Sequence, residues 1–183
     1  MPILTIIGGP NGSGKSTLTR QLGWADSDRL LDPDAIARRL SPENPEQAAI
    51  AAGRERTLRT LEYLEAGVDF AIETTLSGRT MRKLIDDARA QAYDVHLVFV
   101  ALDHPKRCMA RVRARLAKGG HSVPDTDILR RYERSLCAFR ELVWLVDEAK
   151  AYDNSGDGHR LVLEVRAGKI VWRAERLPAW AAF

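Results

Sequence analysis

The chain has 183 residues, of which 45% are hydrophobic and 29% are charged, and its formal net charge is +3. This composition is typical of one globular domain, which we place at residues 1–183, and so small a charge does not by itself indicate nucleic-acid binding. No apolar run approaches the roughly 20 residues of a membrane span, no signal peptide is recognisable, and Cys108 and Cys137 are predicted as buried free thiols, so we expect a cytoplasmic protein.

Short apolar runs alternate with helical patterns along the chain. Strands are predicted at residues 3–8, 30–31, 70–73, 95–102 and 149–152. Helices are predicted at residues 15–22, 45–66, 81–88, 104–118 and 125–148. The second helix is predicted to start at an Asn44-Pro45 cap and to bury Ile50, Leu58, Leu61 and Leu64. Strands at 161–165 and 169–172 predict a C-terminal hairpin within about residues 159–174.

The segment after the first predicted strand matches the pattern G-x-x-x-x-G-K-[ST]. It consists of Gly9, Pro10, Asn11, Gly12, Ser13, Gly14, Lys15 and Ser16, and Thr17 follows. Its glycines allow backbone N–H groups to converge on an anion at a helix start. Lys15 is predicted to reach the β- and γ-phosphates, and the Ser16 hydroxyl is predicted to ligate Mg²⁺. Because a strand precedes the segment and a helix follows it, we predict that it binds ATP or GTP.

The order of the elements predicts the fold class. Strands that alternate with helices favour an α/β protein whose parallel sheet carries helices on both faces. A phosphate-binding loop on the first strand favours a doubly wound, P-loop kinase-like sheet. By analogy with P-loop kinases, we predict the strand order 2-3-1-4-5, with the C-terminal hairpin extending one edge.

Several carboxylates follow predicted strands, where ligands of open α/β sheets bind. Asp34 is the candidate general base for a phosphate acceptor, with Asp32 as the second candidate, although Asp34 also fits a helix N-cap. Glu73 fits either a contact to a Mg²⁺-bound water or acceptor hydroxyl, or a solvated strand end. Asp103 resembles a Walker B acid, but its place before Pro105 favours helix capping.

Basic residues are concentrated in a predicted lid at about residues 104–134. Arg107, Arg111, Arg115 and Lys118 share one helix face, and Arg130, Arg131 and Arg134 open the next helix beyond a Gly119-Gly120 loop. We predict that Arg111, Arg115 and Arg131 stabilise charge on the transferring phosphoryl group. A solvated basic surface and RNA binding are the alternatives, and the scarcity of aromatic residues weakens the second. His121 is a candidate phosphate or substrate contact, or a solvated loop residue.

Several segments together resemble the small bacterial zeta-toxin-like P-loop kinases. They lie at residues 8–17, 32–34, 70–78, 119–124, 130–136 and 152–155. The resemblance implies an ATP- and Mg²⁺-dependent kinase with Asp34 as base, Glu73 as a substrate-contacting acid and Asn154 near the nucleotide base. Asp32, Thr75 and His121 complete the candidate substrate contacts. In zeta toxins the acceptor is a UDP-linked amino sugar, which implies a small anionic acceptor here, and an antitoxin protein is the implied partner.

Three functions stay open at the level of sequence. They are a small-molecule kinase with a toxin or housekeeping role, an NTP-binding switch without an acceptor, and an RNA or polynucleotide kinase. The pairing of Asp34 with a basic lid favours a kinase over a switch. Residues 177–183 are apolar and are predicted to pack on the domain itself.

Overall fold

The computed structural model describes residues 1–78, 80–117 and 123–182. The strands are β1 (Ile3–Gly8), β2 (Leu30–Leu31), β3 (Phe70–Thr74), β4 (Asp94–Ala101), β5 (Glu148–Asp153), β6 (Arg160–Arg166) and β7 (Lys169–Arg173). The helices are α1 (Lys15–Gln21), α2 (Pro33–Leu40), α3 (Ala49–Ala66), α4 (Met81–Ala90), α5 (Pro105–Leu116) and α6 (Asp125–Leu142), and a 3₁₀ turn follows at Ala179–Ala181. Within these ranges, no helix is both long enough and apolar enough to cross a membrane.

All seven strands form one sheet with the order β2-β3-β1-β4-β5-β6-β7. The first five are parallel, so the predicted order 2-3-1-4-5 is confirmed. β6 and β7 add to the β5 edge in antiparallel pairs, as the predicted hairpin requires. Ala167 and Gly168 both have positive φ, 46° and 70°, which matches the twist of a two-residue hairpin turn.

The central strands are buried on both faces, as apolar parallel strands usually are. β1 pairs with β3 and β4, and Gly8 lies in register with Thr74 on one side and Phe99 on the other. The carboxyl ends of these three strands therefore meet at one edge. On one face, Phe99 stacks on Phe139 of α6 with ring centroids 4.2 Å apart, and Trp180 packs edge-on against both rings.

Helix α3 differs from its prediction in both its start and its buried face. It begins at Ala49, without a side-chain cap, rather than at Pro45. Its buried positions are Ala52, Thr60 and Leu64, whereas Ile50, Leu58 and Leu61 are 74%, 62% and 49% exposed. Ile36 and Ala37 of α2 form a buried cluster with Ala48 and Ala52 at the start of α3. Of the four residues predicted to be buried on α3, Leu64 is buried and the other three face outward.

Three further predictions are corrected near α5 and α6. Helix α6 ends at Leu142 rather than at 148, because Glu148 already begins β5. Cys108 is buried but Cys137 is exposed. His104, and not Asp103, caps α5: its Nδ1 accepts a hydrogen bond from the Lys106 N–H, while Asp103 forms an ion pair with Arg107.

Candidate active site

The loop between β1 and α1 has a shape that only glycine permits at three positions. Gly9, Gly12 and Gly14 have φ values of +149°, +76° and +103°. A Cβ atom would lie 2.1 Å from the Val100 carbonyl oxygen at Gly9 and 2.2 Å from Asn154 Nδ2 at Gly14. The loop is thus pressed against β4 on one side and the β5–β6 connection on the other. These neighbours hold it in the strained backbone form that an anion-binding loop needs.

Lys15, the first residue of α1, is folded back over this loop. Its Nζ donates hydrogen bonds to the carbonyls of Gly9 and Pro10, at 2.8 and 3.0 Å. Burial lowers the pKa of Lys15, and the nearby carboxylates of Glu73, Asp34 and Asp32 act against that shift. The ammonium group therefore lies in a largely desolvated position, where its attraction to a phosphate is stronger than in water.

Glu73, at the end of β3, is buried beneath the start of α1. Its Oε1 accepts a hydrogen bond from the Ser16 hydroxyl at 3.1 Å, and its Oε2 accepts one from Thr19 at 2.8 Å. Of the two predicted readings, a solvated strand-end acid does not fit this burial. The carboxylate instead orients Ser16, whose hydroxyl is exposed to the cleft.

The oxygen atoms around Ser16 suit a hard cation such as Mg²⁺. The described residues contain no group of three or more His, Cys, Asp or Glu side chains arranged to hold a metal ion by themselves. Ser16 and Glu73 would therefore hold Mg²⁺ together with phosphate oxygens and water, which is the usual way in which phosphoryl-transfer sites bind it. When bound, the ion neutralises charge on the phosphates.

Asp32 and Asp34 differ in what they contact, although both line the cleft. Asp32 is the N-cap of α2: its Oδ1 accepts a hydrogen bond from the Asp34 N–H at 2.9 Å, and Arg38 lies 3.7 Å from its Oδ2. Burial, followed by the charges of Glu73 and Asp34, raises the pKa of Asp32 to about 6. Asp34 is not the N-cap but lies in the first turn of α2. Its carboxylate makes no hydrogen bond or ion pair with the described residues.

One cleft of about 540 Å³ joins these groups. Besides these groups and the phosphate loop, the cleft is lined by Thr17, Thr74, Thr75 and Asn154. Its cationic side chains are Lys15, Arg38, Arg56, Arg111 and Arg115. Thr75 shares a hydrogen bond of 2.9 Å with Ser77. The five cationic side chains outnumber the three carboxylates, so the cleft has the charge balance that a polyphosphate requires.

The predicted lid arginines do not all reach the cleft. Arg111 and Arg115 line it, and Arg111 also donates to the Asn154 carbonyl at 2.8 Å. Arg131 lies beside it, where it donates to the Asn11 side-chain oxygen at 3.3 Å and pairs with Asp127. Arg107 is held by Asp103 and the Ser155 carbonyl. His121 and the Gly119-Gly120 loop lie outside the described residues.

Asn154 and His159 bind the phosphate loop from the C-terminal side. Asn154 Nδ2 donates to the Ser13 carbonyl at 2.8 Å, so its side chain supports the loop directly. The ring nitrogen Nε2 of His159 lies 3.2 Å from the Gly14 carbonyl oxygen. Sequence reasoning missed His159, because a histidine after a glycine-rich turn carries no recognisable pattern. It also missed Arg38 and Arg56, which line the cleft from α2 and α3.

Comparisons with known proteins agree with this geometry. Residues 4–137 match the AAA domain family. An uncharacterised protein of Haemophilus influenzae is 33% identical over 124 residues, which cover 68% of this chain and 88% of that protein.

Two solved structures share the fold. A structure from the PezAT chromosomal toxin–antitoxin system of Streptococcus pneumoniae has a TM-score of 0.64 at 17% identity, covering 98% of this chain and 75% of that one. The AvrRxo1-ORF1:-ORF2 structure with ATP has a TM-score of 0.70 at 14% identity, covering 93% of this chain and 60% of that one. The resemblance to zeta-toxin-like P-loop kinases that the motifs predicted is confirmed at the level of the fold.

Proposed function

Because the chain belongs to the AAA domain family and has a P-loop kinase fold, we propose that it transfers the γ-phosphate of ATP to a hydroxyl group of a small anionic metabolite. The observation that carries this proposal is the position of Asp34. Its carboxylate lines the cleft together with Lys15 and Ser16 of the phosphate loop. It is neither used as a helix cap nor held in an ion pair with the described residues.

Each group in the cleft has a role in this reaction. The loop backbone and Lys15 hold the phosphates, and Ser16, oriented by Glu73, is placed to ligate Mg²⁺. Arg111 and Arg115 face the same space from α5 and are suited to stabilising negative charge as the phosphoryl group moves. Asp34 accepts the proton of the attacking hydroxyl. An NTP-binding switch needs no such base beside its phosphates.

The roles of Asp34 and Asp32 are separated by a matched pair of substitutions. We expect Asp34→Asn to lower turnover by roughly 10²–10⁴-fold with little change in ATP affinity, because a positioned base acts on the reaction rather than on binding. Asp32→Asn keeps an N-cap side chain and should lower turnover less. If Asp34→Asn retains full transferase activity, or if Asp32→Asn causes the larger loss, Asp34 is not the base.

The likeness to the PezAT toxin–antitoxin structure supports the finer proposal that an antitoxin protein binds this chain. The resemblance of the motifs to zeta toxins supports a second one, that the acceptor is a UDP-linked amino sugar. On this proposal, expression of the wild-type chain in bacteria arrests growth and expression of Asp34→Asn does not. Equal growth of the two strains at equal expression would remove the toxin role. It would leave the kinase proposal intact.

A further inference from the structure

Arg56 lies on the buried side of α3, where a cation is unexpected. The buried residues of this helix are Ala52, Thr60 and Leu64, and Arg56 occupies the position between the first two at the same four-residue spacing. This stripe faces the body of the protein, and Arg56 on it is half-buried. Its side chain lines the cleft that holds Lys15 and Asp34.

Among the described residues, the half-buried guanidinium group of Arg56 has no carboxylate partner. Its Nε is buried without a hydrogen-bond partner, and no carboxylate of the described residues forms an ion pair with it. The adjacent acid, Glu55, pairs instead with Arg39 and Arg59. Burial is accordingly the cause that lowers the pKa of Arg56. A half-buried cation whose Nε lacks a hydrogen-bond partner lowers the stability of a fold unless a counter-charge reaches it, so its place in the cleft lining points to an anionic ligand.

The arginines of the cleft fall into two groups on opposite sides of the phosphate loop. Arg111 and Arg115 come from α5, which follows β4, whereas Arg38 and Arg56 come from α2 and α3, which connect β2 to β3. We call the surface formed by Asp34, Arg38 and Arg56 the acceptor wall. On this wall Arg38 lies 3.7 Å from Asp32, whereas Arg56 forms no ion pair with the described residues.

We propose that Arg56 binds an anionic group of the phosphate acceptor, a carboxylate or a phosphate, and so places the acceptor hydroxyl at Asp34. This assignment rests on the proposed function, because it takes Asp34 as the point of reaction. A planar guanidinium suits either oxyanion, since it can donate two parallel hydrogen bonds. Acceptors that lack an anionic group should then be poor substrates even when they carry a suitable hydroxyl.

Anion binding at this position is measured without turnover. The protein is first saturated with Mg²⁺ and a non-hydrolysable ATP analogue, so that the phosphate loop is filled. It is then titrated with inorganic phosphate while the arginine Nε–Hε NMR signals are followed. We expect a saturable shift of the Arg56 signal in the wild type and in Arg54→Met, an exposed position on the same helix. In Arg56→Met, phosphate binding followed by the backbone amide signals of the cleft should be at least 10-fold weaker than in Arg54→Met. An unchanged Arg56 signal, or equal phosphate binding by the two variants, would overturn the proposal.

Kinetics and stability separate acceptor binding from a structural role. We expect Arg56→Met to raise the KM for a UDP-linked amino sugar or a hydroxy acid at least 10-fold, with the Kd for ATP unchanged. Its melting temperature should equal or exceed that of the wild type, because a half-buried charge that forms no ion pair with the described residues is removed. A fall in melting temperature with an unchanged KM would instead assign Arg56 to the fold. If no acceptor is phosphorylated at all, the proposed function fails, while the NMR titration still decides whether Arg56 binds anions.

Discussion

At the scale of single residues, we expect Lys15 to act on ATP mainly through its charge, because the glycines and their neighbours fix the shape of the loop. Lys15→Ala should therefore keep the fold and weaken ATP binding by about 10–100-fold or more, since charge-assisted hydrogen bonds contribute about 1.5–3 kcal/mol each. Titration calorimetry measures the affinity, and circular dichroism checks the fold. Arg20→Ala, at an exposed position of α1, is the control and should bind ATP as the wild type does. Unchanged ATP affinity in folded Lys15→Ala would contradict a role of this loop in nucleotide binding.

The raised pKa of Asp32 gives a pH dependence of stability. Its folded pKa of about 6 lies above the ordinary aspartate value of 3.8, so folding favours the protonated form. The carboxyl group makes its full contribution to the free energy of unfolding below its unfolded pKa. This contribution, on the order of 2–3 kcal/mol, is lost as the pH rises through about 6. Asp32→Asn keeps a capping side chain without a charge, so its melting temperature relative to the wild type should rise between pH 4 and pH 8. A difference that does not vary with pH would show that the carboxyl is not perturbed.

Sequence reasoning located most single residues of the cleft, because a phosphate loop is recognisable from spacing and strand ends fix where carboxylates fall. It did not locate Arg56, although Ala52, Thr60 and Leu64 bracket that position at four-residue intervals. The larger leucines of α3 indicated a different buried face. Ile36 and Ala37 of α2 contact Ala48 and Ala52, so small side chains mark that part of the buried face of α3, while Ile50, Leu58 and Leu61 are exposed.

At the scale of elements, helix α5 presents Arg111 and Arg115 to the phosphate loop from the opposite side to α2. We expect Arg111→Ala and Arg115→Ala to lower turnover far more than ATP affinity, because residues that meet charge developing in the transition state act mainly on rate. Arg113→Ala is a matched control, since Arg113 lies on the same helix and pairs with Asp125. Equal losses of binding and turnover would indicate that the two arginines only anchor ATP.

Right-handed crossovers favoured a doubly wound sheet, and the phosphate loop on the first strand made the order predictable by analogy with P-loop kinases. Helix ends were less predictable. The apolar pattern of α6 continues through Val143 and Val146, which are buried after the helix has stopped, so periodicity alone does not reveal the break. The predicted lid at residues 104–134 stays a prediction, because residues 118–122 within it lie outside the described residues.

At the scale of the whole molecule, the C-terminal turn closes the core over α6. Trp180 is 3% exposed and contacts both Phe99 and Phe139. Deleting residues 178–183 should cost on the order of 3 kcal/mol, as removal of a buried tryptophan does, and should lower the melting temperature by roughly 6–12 °C. Trp172→Ala, at a site that is 44% exposed, should lower it much less. A change of elution volume without a loss of stability would assign the turn to an interface instead.

The fate of the γ-phosphate distinguishes a kinase from a nucleotide-binding switch. The purified protein is incubated with Mg²⁺, γ-labelled ATP and a fractionated extract of small bacterial metabolites, with Asp34→Asn in parallel. We expect the wild type to move the label onto an organic hydroxyl compound that carries an anionic group. Asp34→Asn should do so at least about 100-fold more slowly. Label found only in inorganic phosphate, at equal rates with and without the extract, would contradict the kinase proposal.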